Sequence, residues 1–151
     1  MVVVKRLMFR EAKPEDGDGV AELLRQLGSG ALDGAEARRR LDRGWETVFV
    51  AADPIGDVWG FVAVKKELYF GHARPVAHVT AIAVHQAARR SGIGRGLMEQ
   101  AAAFAREQQC AGIELTSGIN PQREAAHHFY QSLGYIRTSY RYWLPFDEEG
   151  L

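Results

Sequence analysis

The stretch from Ile82 to Leu97 (IAVHQAARRSGIGRGL) constrains the fold of this 151-residue chain more than any other. An alternating apolar run ends at Val84. A short polar loop follows, then a basic turn with paired glycines, then a long helical pattern. That order predicts a strand, a turn and a helix. A helix start leaves backbone N–H groups without intrahelical partners, and they point one way. Gly92 and Gly94 lack a Cβ, so a ligand can come close to the backbone there. Arg89, Arg90 and Arg95 add positive charge, and Ser91 and Ile93 complete the turn. Such a turn binds phosphate or pyrophosphate.

Two rival phosphate motifs fit poorly. The dinucleotide fingerprint needs glycines directly after the strand and a third glycine three beyond the second. Here seven residues separate Val84 from Gly92, and Leu97 stands where the third glycine belongs. Glu114 lies near the distance expected of a ribose-binding acid, but no second half of such a domain follows. The Walker pattern is absent, since no Gly-Lys-Ser/Thr occurs.

The remaining elements read from periodicity and punctuation. Leu7 to Glu11 is a first strand. Pro14 to Leu27 is a helix with Val20, Leu23, Leu24 and Leu27 on one face and Gly28 as its stop. Asp33 to Glu36 resembles a capping box, and Gly44 closes a second helix. Thr47 to Ala52 and Val58 to Glu67 are strands around a turn at Asp53 to Asp57. His78 to Val84 is a fourth strand, with His78, Thr80, Ile82 and Val84 on one face by strand alternation. Gly92 to about Gln108 is a third helix with Ile93, Leu97, Ala101 and Phe104 inward. Ile113 to Thr116, Arg123 to Leu133 and Arg137 to Trp143 are a strand, a helix and a strand. A helix between the fourth and fifth strands predicts one parallel crossover in a mostly antiparallel sheet.

Length fits one domain over residues 1–151. A formal net charge of +0 gives no bulk attraction to nucleic acid or to a membrane surface. No apolar run approaches the roughly 20 residues of a membrane span, and Met1 to Lys5 is too short for a signal-peptide core. The single cysteine, Cys110, excludes an internal disulfide framework and suits a reducing compartment, so a cytoplasmic protein is expected. The run Arg38-Arg39-Arg40 with Arg43 lies on a helix without a glycine turn and reads as a solvated face. His127 and His128 with His72 and His85 form no metal set, since adjacent histidines on a helix face apart and no Cys or acid spacing supports zinc, so no metal is expected.

The RxxGxG spacing from Arg89 to Gly94, after a strand ending Ile82-Ala83-Val84, resembles the coenzyme A signature of the GNAT superfamily of N-acetyltransferases. A second match lies downstream. The segment from Arg123 to Tyr135 (REAAHHFYQSLGY) is similar to the family's final helix, which carries a tyrosine and stops at Leu-Gly-Phe/Tyr. Phe9 to Ala12 and Pro14 to Asp16 also look like the family's first strand and helix start, so the resemblance covers nearly the whole chain. It implies a single-domain α/β (α+β) GNAT fold. Its sheet is mixed and mostly antiparallel, with six to seven strands, flanked by four helices. The fourth and fifth strands are parallel and splay apart to admit acyl-CoA.

The resemblance also implies roles. Tyr130 would donate a proton to the departing CoA thiolate. A free thiol has a pKa of about 8.5 and a phenol about 10, so a hydrogen bond with partial transfer suffices. His78 matches the strand of arylalkylamine N-acetyltransferases, where a histidine helps to deprotonate the amine; many other members carry a glutamate there. Thr80 departs from that pattern, which has a second histidine. Glu114 is the alternative base. A backbone N–H near Ile82 or Ala83 would hold the oxyanion. Many members place an asparagine seven residues before the tyrosine to contact the cofactor arm; here that position is Arg123, and Asn120 lies three residues earlier. The implied activity is transfer of an acetyl group from acetyl-CoA to a primary amine, by direct attack. The rival is a non-enzymatic acyl-CoA-binding module of the same fold. The acceptor, a small molecule or a peptide, is shaped by the first two helices and the loop from Tyr69 to Pro75. The C-terminal aromatics Tyr140, Tyr142, Trp143 and Phe146 fit three roles: core, pocket wall or homodimer contact.

Overall fold

The computed structural model describes residues 6–148. Met1 to Lys5, read above against a signal peptide, lie outside the described residues. The chain forms two compact units, one up to Leu115 and one from Thr116.

The first unit is a five-stranded sheet in sequential order: β1 (Met8–Glu11), β2 (Thr47–Ala52), β3 (Val58–Glu67), β4 (Val76–Val84) and β5 (Ile113–Glu114). The first four strands are antiparallel neighbours, and β5 runs parallel to β4. The crossover before β5 is the long helix α3 (Ile93–Glu107), as a parallel pair requires. Helices α1 (Gly17–Gln26) and α2 (Gly34–Arg43) connect β1 to β2. The expected first helix therefore begins three residues late. Pro14–Asp16 forms a 3-10 turn instead, where the buried Asp16 carboxylate takes two hydrogen bonds from the Arg10 guanidinium, at 2.7 and 3.0 Å, and one from the Lys13 N–H. Asp33 caps α2 through the Glu36 N–H, but the reciprocal half of the capping box is not made; Glu36 pairs with Arg39 and Arg40.

The sheet buries different residues on its two sides. Val20 and Leu23 of α1 pack with Val50, Ala52, Phe61, Ala63 and Ala83. On the opposite side Ile93, Leu97, Met98, Ala101 and Ala105 of α3 are buried, and Phe104 meets Phe49 edge-on at 6.4 Å. Gly60 permits this close docking: a Cβ there would sit 2.8 Å from Ile93 Cγ2 and 3.0 Å from Leu97 Cδ1.

A bulge in β4 changes the expected facing of the site. Ala63 pairs with Ala81, but the next residue, Val64, pairs with Val79, leaving Thr80 as the extra residue. A bulge breaks the period of two. His78 opposes Lys65 and so shares a face with Ala81 and Ala83, whereas Ile82 opposes Val62 on the α3 side. His78 and Ile82 are thus on opposite faces, not on one face as unbroken alternation predicts.

The second unit contains a 3-10 turn at Pro121–Arg123 and helix α4 (Glu124–Ser132), stopped before Gly134, which has φ +94°. The expected strand from Arg137 to Trp143 does not form among the described residues, and the fifth strand is two residues long rather than four. Among the described residues the sheet therefore has five strands, not six to seven. A β-prone run becomes a strand only when a ladder partner takes up its backbone groups, and the residues after Glu114 have no such ladder.

Candidate active site

The parallel ladder between β4 and β5 is confined to Ala77 with Ile113 and His78 with Glu114. Beyond it, β4 runs on from Val79 to Val84 with β3 on one edge and no strand on the other among the described residues. β4 leads from Val84 into the glycine turn. The His85 N–H donates to the Trp59 carbonyl at 2.8 Å, the Ala87 N–H to His85 Nδ1 at 3.1 Å, and the Ser91 hydroxyl to the Ala88 carbonyl. Gly92 stands at the N-cap of α3 with φ +87°, a conformation that favours glycine, and no atom lies within 4 Å of where its Cβ would be. No side chain caps the first turn of α3, so its first amides lack a side-chain partner, the condition under which a helix start takes an anion. Arg89, Arg90 and Arg95 are exposed around it. Gly94 and Ile93 form the first helical turn.

A second group of residues gathers where β4 and β5 pair. Glu114 Oε1 lies 3.2 Å from His78 Nδ1 and accepts the Tyr69 hydroxyl at 2.7 Å. The Tyr69 bond, and with it that of His78, holds the Glu114 carboxyl below the ordinary carboxylate range against an upward push from partial burial. The same bond pushes the Tyr69 phenol up. At the bulge, the Thr80 hydroxyl donates to Glu46, which precedes β2. The sequence marks Tyr69 only as part of a pocket loop and gives no sign of Glu46. Their partners lie 45 and 34 residues away, a pairing that only the sheet reveals.

In the second unit, Asn120 and Arg123 both flank Gly118, whose Cβ position would lie 3.3 Å from Asn120 Nδ2 and 3.5 Å from Arg123 Cγ. His127 Nε2 donates to the Gly118 carbonyl at 2.7 Å, a contact the sequence does not suggest. Tyr130 lies on α4 with its ring centroid 5.3 Å from that of Phe129 and 6.0 Å from that of Tyr135. Burial raises its phenol, with the Arg123 charge pulling the other way.

The sheet is thus mixed, with a single short parallel pair, and an uncapped glycine turn opens the helix that crosses over between the two strands of that pair. The model of the acetyltransferase (GNAT) domain family matches residues 44–137, more than half of the chain, and the chain belongs to this family of acetyltransferases. It is 29% identical over 140 residues to an aminoalkylphosphonate N-acetyltransferase of Salmonella typhimurium, covering 89% of this chain and 88% of that one. Among solved structures, an acetyltransferase from Trypanosoma brucei superposes with a TM-score of 0.79 at 24% identity, over 93% of this chain and 100% of that one. Glucosamine-6-phosphate N-acetyltransferase from Arabidopsis thaliana gives a TM-score of 0.79 at 20% identity, over 95% and 100%. These last two likenesses speak to the fold. Among the described residues, no helix is long and apolar enough to cross a membrane.

Proposed function

We propose that this protein transfers an acetyl group from acetyl-CoA to a primary amine by direct attack within a ternary complex. The observation that carries this reading is the free edge of β4 from Val79 to Val84 running into the uncapped turn at Gly92. The family match spans both sides of the Leu115 boundary, which supports treating the two units as one acetyltransferase domain. The lone cysteine supports a reducing compartment such as the cytoplasm.

The residues divide the work by chemistry. The α3 amides, including those of Ile93 and Gly94, with Ser91 and the arginines Arg89, Arg90 and Arg95, hold the pyrophosphate. Asn120 or Arg123 contacts the cofactor arm. The backbone of Ile82, Ala83 and Val84 aligns the pantetheine arm, and an N–H at Ile82 or Ala83 accepts the charge developing on the carbonyl oxygen. When bound, acetyl-CoA supplies an activated thioester. The His78–Glu114 pair takes the proton from the amine. Tyr130 returns a proton to the leaving sulfur, and its raised phenol keeps that proton at neutral pH.

Coenzyme A release, read with a thiol reagent, tests this against a panel of an aminoalkylphosphonate, an amino sugar phosphate, an arylalkylamine, a polyamine and a peptide N-terminus. The first two follow the names of the relatives. Release that depends on one amine class supports the reading. No release with any member, together with no acetyl-CoA binding, contradicts it.

A further inference from the structure

His78 and Glu114 are alternative bases on sequence grounds, but the geometry separates them. Glu114 Oε1 is occupied twice, by the Tyr69 hydroxyl and by His78 Nδ1. An ionised carboxylate only accepts hydrogen bonds. The carboxyl is held below its ordinary range, so it is ionised at neutral pH. The hydrogen between the two side chains therefore sits on His78 Nδ1. A neutral imidazole protonated at Nδ1 carries its free lone pair on Nε2. Among the described residues Nε2 has no hydrogen-bond partner, and the His78 side chain keeps a quarter of its surface exposed. A carboxylate that is held anionic makes a weak base, whereas an imidazole fixed in one tautomer with one open nitrogen makes a suitable one.

The loop that carries Tyr69 is itself fixed. The His72 N–H donates to the Tyr69 carbonyl at 2.9 Å, closing a turn. Arg74 reaches the Gln109 and Cys110 carbonyls just before β5. The Ala111 N–H donates to the Pro75 carbonyl at 2.8 Å. The end of the loop is therefore tied to the chain just before β5, on one side of the Tyr69–Glu114 bond.

We infer that His78 Nε2 is the atom that takes the amine proton, and that Glu114 and Tyr69 are positioning residues that hold it in that tautomer. The inference rests on the acetyl-transfer reading above. In the step, an N–H bond of the bound ammonium breaks, its proton moves to Nε2, its electron pair stays on nitrogen as the lone pair that attacks the thioester, and the imidazole becomes a cation facing the Glu114 carboxylate. Other charged groups also bear on His78. Lys65 stands opposite it on β3, paired with Glu67, and Glu46 lies by Thr80. His72 lies close enough to Glu114 to act on its charge. These groups are unchanged in the variants below.

The test reads the histidine directly and then the rate. Nitrogen-15 spectra of the labelled full chain, with His78→Gln for assignment, report which ring nitrogen carries the proton at alkaline pH. The expected result is a proton on Nδ1. In Glu114→Gln the anionic acceptor facing Nδ1 is gone, so the proton should no longer be confined to Nδ1 and the two tautomers should mix. In Tyr69→Phe the carboxylate still accepts from Nδ1, so the proton should stay there. The acidic limb of kcat/KM, measured with the fastest amine of the panel, should be kept in both variants. The plateau should fall about three- to tenfold in Tyr69→Phe. His78→Gln should flatten the limb and cost about 10²–10⁴-fold. Circular dichroism and Tm check that each variant is folded. A proton on Nε2, a tautomer left unchanged in Glu114→Gln, or a limb kept in His78→Gln and lost in Glu114→Gln would overturn the assignment. Absence of acetyl transfer in the unmodified protein would instead sink the acetyl-transfer reading, while the tautomer would still judge the geometry.

Discussion

Replacing Gly92 by alanine or valine separates a structural demand from a functional one. Gly92 has φ +87° at the start of α3, and its Cβ position is open, with nothing within 4 Å. A new Cβ would therefore meet no nearby protein atom, and for alanine the cost to folding is the backbone conformation alone, about 1–2 kcal/mol. For a chain of this size that lowers Tm by about 2–8 °C. Acetyl-CoA at a hundred times its Kd should stabilise the unmodified protein by about 2.7 kcal/mol, which is about 5–11 °C. The space above Gly92 is where a pyrophosphate would approach, so Gly92→Val should lose nearly all of this ligand-induced shift, with Gly92→Ala between the two. Differential scanning fluorimetry with and without acetyl-CoA reads both quantities. A full acetyl-CoA shift in Gly92→Val would refute the phosphate-turn reasoning. An unchanged Tm without ligand would refute the backbone argument.

Two further outcomes follow from particular contacts. Tyr130→Phe should keep the acetyl-CoA-induced Tm shift and lower kcat by about 10²–10⁴-fold, since it removes only the hydroxyl; unchanged turnover would return Tyr130 to packing against Phe129 and Tyr135. The Arg10–Asp16 pair should make stability sensitive to acid: burial pushes the Asp16 carboxyl up, but the Arg10 and Lys13 hydrogen bonds hold it net below its ordinary value. A carboxyl lowered by folding stabilises the native state fully above its unfolded pKa of about 3.9, and that contribution is lost as pH falls through the lower folded value. Urea denaturation at pH 7 should show Asp16→Asn destabilised by about 1.5–3 kcal/mol, with the gap closing in strong acid; a gap that persists there would show that the charge is not its source.

What the sequence made legible was local. The glycine turn and the start of α3 depend on residues within one short stretch, and Gly92, Ile93 and the long helix fall where the pattern puts them. The Asp33 cap and the Gly44 stop of α2 are local in the same sense. The bulge at Thr80 was not legible, because it is a property of β4 paired with β3 and leaves no mark in the alternation of apolar residues. It reverses which residues share a face with His78. The Tyr69–Glu114–His78 group was legible only in part, since each residue is recognisable and their shared oxygen is not. The C-terminal stretch has strand-like composition, yet Arg137 to Trp143 form no ladder among the described residues, because pairing is decided by a partner and not by the stretch itself.

The account's central claim is that the acetyl group passes directly from acetyl-CoA to the amine while both are bound. Initial rates measured over a grid of acetyl-CoA and amine concentrations test it most directly. Direct attack in a ternary complex predicts double-reciprocal lines that intersect, with no acetyl group left on the protein when acetyl-CoA is supplied alone. Parallel lines, with an acetylated protein detected by mass spectrometry before the amine is added, would show a covalent relay and contradict the account.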